Sequence, residues 1–166
     1  KITKKTSSAI ASFKNWDAVD TEIERAAKAE VSVVTSLDTS YPPLLKCIYD
    51  YPPFLYVKGT LQDDISVGVV GSRTASTYGK FITERLCREL AQQGITVVSG
   101  MARGIDSSAH RGALSVNGRT IAVLGTGIDV IYPSENKNLF KQISERGAVL
   151  TEFPFSTLPN GPNFPL

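Results

Sequence analysis

Ser66-Val67-Gly68-Val69-Val70-Gly71-Ser72-Arg73 is the stretch on which the fold turns. Its apolar run, entered from Asp63-Asp64 and left at Gly71, predicts a strand over residues 67–70 buried on both faces. A loop of Gly, Ser and Arg follows, and residues 78–93 then show helical periodicity, with Ile82, Leu86 and Leu90 on one stripe. Strand, small-residue loop and helix make half of a βαβ unit. Backbone N–H groups at such a helix start attract anions, and the planar fork of Arg73 suits a phosphate.

Downstream the pattern repeats. Strands are predicted over residues 95–99, 120–124 and 148–151, with helices over 105–116 and 136–145 between them. This alternation predicts an α/β fold, a Rossmann-like doubly wound parallel sheet with right-handed crossovers and helices on both faces. Upstream, residues 17–29 read as a helix with Thr21 and Glu24 in capping-box spacing, its inner face formed by Val19, Ile23, Ala26 and Ala27. A short strand over 31–35 and another over 54–57, stopped at Gly59, flank Tyr41-Pro42-Pro43 and Tyr51-Pro52-Pro53. Those prolines predict a stiff, extended connection. The expected division is a short helical segment over 1–40, a Pro-rich connection and strand over 41–62, and a Rossmann-like domain over 63–166.

The 166 residues, 42% of them hydrophobic, suffice for one good core. Eighteen Lys and Arg face sixteen Asp and Glu, a net charge of +2, so polyanion binding must come from local clustering rather than a basic tail. Cys47 and Cys87 have neither metal nor disulfide spacing and suit a reducing compartment, the cytoplasm. No signal peptide or membrane-spanning run is read.

In open α/β sheets ligands bind beyond the carboxyl ends of the strands. Four such ends carry Gly71-Ser72-Arg73, Ser99-Gly100-Met101-Ala102-Arg103-Gly104, Gly125-Thr126-Gly127 and Thr151-Glu152. A dinucleotide is disfavoured because no G-x-G-x-x-G is present, and no Walker motif occurs, so no cofactor is expected. His110 lies four residues after Asp106, a spacing that serves either a general base or a structural helix pair. Glu152 stands alone, as an acid or as a carboxylate that orients an Arg or an amide. A polyanion fits better: Arg73, Arg103 and Lys137 share one edge, and Ser72, Ser99 and Thr126 can donate to phosphate oxygens. Phe140, one turn after Lys137, either stacks a base or packs in the core.

These residues resemble the DprA family, also called Smf, the DNA-processing proteins of natural transformation. The matching stretches are Tyr41-Pro42-Pro43-Leu44-Leu45, Tyr56-Val57-Lys58-Gly59, Gly71-Ser72-Arg73, residues 99–106 with Ala109-His110, residues 125–133, Glu135-Asn136, Glu152-Phe153-Pro154 and Asn163-Phe164-Pro165. The resemblance implies a Rossmann-like domain that binds single-stranded DNA with little sequence preference, protects incoming strands and helps load the recombinase RecA, with no enzymatic activity, metal or cofactor. It places Gly71, Ser72 and Arg73 on backbone phosphates, adds charge at Lys137 and a base contact at Phe140. Ser99, Gly100, Arg103, Gly125 and Thr126 complete the expected groove. The family pattern continues past the Phe-Pro step with Arg-Asn-Arg and more of the sheet. A homodimer is therefore expected of the full-length protein, and a weaker-binding monomer of a chain that stops at Leu166. The alternative is a Rossmann-like enzyme of the nucleoside monophosphate phosphoribohydrolase type. That family relies on a Pro-Gly-Gly-x-Gly-Thr loop, of which only Gly125-Thr126-Gly127 comes near.

Overall fold

Downstream of Asp64, the alternation of apolar and periodic segments becomes four parallel strands joined by three helices in the computed structural model, which describes residues 3–164. Pro165 and Leu166, the end of the resemblance, lie outside the described residues. The strands are β3 (Ser66–Gly68), β4 (Thr96–Ser99), β5 (Thr120–Val123) and β6 (Ala148–Thr151). Helices α3 (Thr77–Gln92), α4 (Ile105–Leu114) and α5 (Lys137–Arg146) connect them. Upstream lie α1 (Lys4–Ala11), α2 (Trp16–Lys28), β1 (Ser32–Thr35) and β2 (Phe54–Gly59). The six strands form one sheet in the order β1-β2-β6-β5-β4-β3, and β1 and β2 join it antiparallel.

Strand alternation divides the core. Val97 packs with Cys87 of α3 and with Ala109 and Ala113 of α4, while Ala122 and Val149 pack with Phe140 and Ile143 of α5. Ala26 of α2 belongs to the same layer as Ala122, Val149 and Ile143. Fully burying a side chain such as Ile143 contributes roughly 1.5–3 kcal/mol. Gly112 lets α3 and α4 come together: a Cβ there would stand 2.3 Å from the Glu84 carbonyl oxygen. The opposite face presents Val34, Leu55, Val57, Ala148 and Leu150 to Tyr41, Leu45 and Leu61, and opens into an apolar groove of about 510 Å³ beside Val98, Ile121 and Val123.

Several expectations change. Among the described residues, α2 to α5 share one face of the sheet, and the other is covered only in part, by the Pro-rich segment, so the helices do not flank both faces. β3 is an edge strand rather than a doubly buried one. It pairs with β4 alone, which leaves Val67 and Val70 exposed at 38% and 81%. The stripe on α3 is half in solvent, with Ile82 and Leu86 exposed and Cys87 turned inward. The Pro-rich segment folds back instead of running extended: residues Pro43–Cys47 form a 3-10 turn, and buried Tyr41 donates its hydroxyl to the Pro52 carbonyl at 2.6 Å. The boundaries drawn at 40 and 62 fall between strands of one sheet, which β1 and β2 share with β3 to β6. Finally, Thr21 caps nothing. It lies inside α2 and donates to the Asp17 carbonyl, so Thr21 and Glu24 form no capping box.

Candidate nucleic-acid interface

The parallel strands bring their carboxyl ends to one edge, where the 71–73 loop is the most open element. Gly71, Ser72 and Arg73 are all exposed. Ser72 accepts from Thr74 N at 3.1 Å through its hydroxyl and from Ile105 N at 3.2 Å through its carbonyl, which seats the loop on the start of α4. Two glycine-dependent approaches make that seat possible. A Cβ on Gly71 would meet Ile105 at 2.7 Å, and one on Gly104, at φ +78°, would meet the Ser72 carbonyl oxygen at 2.2 Å. The backbone N–H groups of Gly71, Ser72 and Arg73 reach no protein acceptor among the described residues, and Arg73 has no carboxylate partner there. Unpaired amides beside a free guanidinium make an anion cradle.

The second loop is closed differently. The Asp106 carboxylate accepts from Gly100 N at 3.2 Å and Ala102 N at 3.4 Å. Burial raises the Asp106 pKa, and these N–H donors together with the Arg73 charge oppose that rise. Ser99 is buried and donates to the Val69 carbonyl at 2.7 Å. Neither Gly100 nor Ser99 therefore offers a donor to a ligand, in contrast to the sequence reading. Arg103 is exposed but forms a bidentate pair with Glu135, Nε–Oε1 at 2.5 Å and Nη2–Oε2 at 3.1 Å. That pairing raises the Arg103 pKa and lowers that of Glu135.

The third loop is covered by Asn163 and Phe164. A Cβ on Gly125 would meet the Asn163 carbonyl oxygen at 2.6 Å and the Phe164 ring at 2.8 Å. Thr126 is buried and donates to the Val130 carbonyl. Lys137 opens α5, exposed and without a carboxylate partner among the described residues. Phe140, at 8% exposure, packs among Leu139, Ile143 and Ala122. Core packing, rather than a surface for bases, is its place.

The general-base alternative does not survive the geometry. His110 is fully buried, its Nδ1 lies 2.6 Å from Thr120 Oγ1, and Asp106 serves the loop amides instead. Desolvation pushes His110 down to about 3. Glu152 is exposed and has no hydrogen-bond partner among the described residues, so it orients no Arg. Three supports were missed in the sequence. Buried Asn136 donates to the Met101 carbonyl at 2.8 Å and to Ser107 Oγ at 2.9 Å, fixing the 100–104 loop. Glu22 and Arg25 of α2 hold the far side: Glu22 accepts from Phe155 N at 2.7 Å, and Arg25 reaches Ser156 Oγ at 2.7 Å and Asp129 at 3.2 Å. No periodicity marks such contacts. Only the long loop-to-helix separations of the finished fold create them.

Residues 32–166 match the family described as DNA recombination-mediator protein A. The chain belongs to the DprA/Smf family. It is 43% identical over 149 residues to protein Smf of Synechocystis sp., covering 86% of this chain and 37% of that relative. Among solved DprA structures, that of Streptococcus pneumoniae superposes with a TM-score of 0.76 at 40% identity, covering 80% of this chain and 47% of the other. DprA of Helicobacter pylori, whose structure concerns its single-stranded DNA binding mode, gives 0.71 at 30% identity, with 80% and 60% covered. The chain thus spans less than half the length of the curated relatives it matches. The Rossmann-like α/β fold agrees with both structures. No described helix is long and apolar enough to cross a membrane, and no cluster of metal-ligating residues occurs among the described residues.

Proposed function

We propose that this chain binds single-stranded DNA through its sugar-phosphate backbone, as a binding module rather than an enzyme. One observation carries the reading: at the carboxyl edge of β3, the N–H groups of exposed residues 71–73 reach no acceptor and the Arg73 guanidinium no carboxylate among the described residues, while Asp106 occupies the Gly100 and Ala102 amides and Glu135 holds Arg103. Lys137, exposed and without a carboxylate partner among the described residues, adds a further cation. The H. pylori relative's single-stranded DNA binding supports the same ligand. In this reading the whole protein works in the cytoplasm of a transformable cell, protects incoming strands, dimerises and loads RecA onto them. Those roles follow from the family and from no residue of the site.

Fluorescence anisotropy of labelled oligo-dT and mixed-sequence strands across a salt series tests it. Affinity independent of sequence and falling steeply with salt is the expected result, because phosphate contacts release counterions. Arg73→Ala should weaken every strand alike and flatten the salt slope by about one. Sustained release of adenine from AMP, with no strand binding, would replace this reading by that of a phosphoribohydrolase.

A further inference from the structure

We propose that a cavity of about 420 Å³ between the ends of α4 and α5, at the amino edge of the sheet, is a site for a phosphate group. Arg111 in the last turn of α4, Asn117 in the loop that follows, and Gln142 and Arg146 of α5 line it. α4 starts beside the 71–73 loop and is 10 residues long, so its last turn stands roughly 15 Å from that loop. The site is therefore separate from the strand-binding edge and does not rest on that reading.

Two local features build it. Gly147 follows α5 directly, and a Cβ there would collide with the Thr120 carbonyl at the start of β5, so glycine lets the end of α5 approach the loop that ends α4. Asn117 has φ +57°, a left-handed conformation that Gly usually takes and Asn tolerates. Asn at this position adds a carboxamide to the lining. The two guanidiniums and the two carboxamides have no side-chain hydrogen bond or ion pair among the described residues.

An arginine in a last turn ordinarily serves the helix end itself. Here the α4 carbonyls have other partners: Arg111 O accepts from Ser115 N at 2.9 Å, Ala113 O from Gly118 N at 3.0 Å, and Leu114 O from Asn117 N at 3.0 Å. Glu145 also lines the cavity, and its carboxylate lies 3.9 Å from Lys141 Nζ. With that charge balanced, two guanidiniums outweigh two helix ends of about half a negative charge each. Leu114 is the one apolar residue of the lining, so nothing there buries a base or an acyl chain. A phosphate has oxygens enough to accept from forks on two helices at once.

The test titrates the ¹⁵N-labelled chain with inorganic phosphate at constant ionic strength, with chloride as the control. Saturable shifts of the Arg111 and Arg146 Nε–H signals and of the Asn117 and Gln142 carboxamides are expected, with none in chloride. Arg111→Gln and Arg146→Gln should each weaken phosphate about tenfold and leave the melting temperature about unchanged. Asn117→Gly, which the backbone accommodates, should weaken it too. Arg73→Ala should leave these shifts as they are, so failure here and failure of the strand-binding reading are told apart. Thymidine 5′-monophosphate and an oligo-dT without terminal phosphates separate the sources. Shifts with the first alone assign a free phosphomonoester, shifts with oligo-dT assign a strand's backbone, and either supports the site. Equal shifts in phosphate and chloride would overturn it as charge screening. Lower melting temperatures for the arginine variants with unchanged phosphate binding would also overturn it, and would give the guanidiniums to the helix ends.

Discussion

Gly104→Ala is the substitution that most directly challenges how the 71–73 loop is seated. Gly104 precedes α4 at φ +78° and ψ −121°, a conformation close to glycine-only, and its Cβ would stand 2.2 Å from the Ser72 carbonyl oxygen and 2.9 Å from the Arg73 carbonyl group. Backbone strain alone costs about 1–3 kcal/mol. Relieving the collision means moving the 71–73 loop off α4, which breaks the 3.2 Å bond from Ile105 N to Ser72 O and costs about 1 kcal/mol more. The expected loss is about 2–4 kcal/mol, a fall in Tm of roughly 5–15 °C for a chain of this length. Gly94→Ala is the reference. Gly94 shares a positive φ, +77°, but a Cβ there meets nothing within 4 Å, so it should cost only about 1 kcal/mol. Thermal melts followed by circular dichroism measure both, and oligo-dT anisotropy should show weaker binding for Gly104→Ala alone. Equal melting of the two variants would refute the argument that close approach onto Ser72 seats the loop.

The remaining predictions concern charge and α2. His110 titrates near 3 when folded against about 6.5 when free, so the unfolded chain takes up the proton first. Its contribution is complete above pH 6.5 and declines by about 1.4 kcal/mol per unit as pH falls from there toward 3. Urea unfolding between pH 7 and 4 should show His110→Leu with a shallower decline than wild type, and identical slopes would contradict this. Glu135→Gln releases Arg103 from an exposed ion pair. Tm should stay about the same while oligo-dT binds more tightly, and unchanged binding would place Arg103 outside the interface. Arg25→Ala removes the contacts to Asp129, Ser156 and the Phe155 ring, which stands 5.1 Å from the guanidinium. About 1–2 kcal/mol of stability should be lost in a urea titration, discounted for partial exposure.

Local pattern was a good guide where each element packs on its sequence neighbours. The 105–116 helix, with Ala109 and Ala113 inward, and the strand over 148–151 are present as α4 and β6, because short crossovers make periodicity and burial agree. It misled where partners are distant. β2 pairs antiparallel with β6, almost a hundred residues later in the chain, and β1 joins the sheet through β2; no periodicity in either strand encodes these partners. At the site, glycine-rich loops were visible but their purposes were not. Asp106 occupies two amides of one loop from within, Phe164 closes over Gly125, and the exposed 71–73 loop keeps its three donors free among the described residues. A glycine needed for close approach looks the same in sequence whether a phosphate or the protein's own chain is approaching.

Amide chemical shifts would decide the central claim most directly. In a ¹⁵N-labelled sample of this 17.9 kDa chain, titration with oligo-dT should shift Gly71, Ser72 and Arg73 strongly, and leave Gly100 and Ala102, already bonded to Asp106, nearly still. Saturable binding that leaves residues 71–73 unmoved would contradict the account.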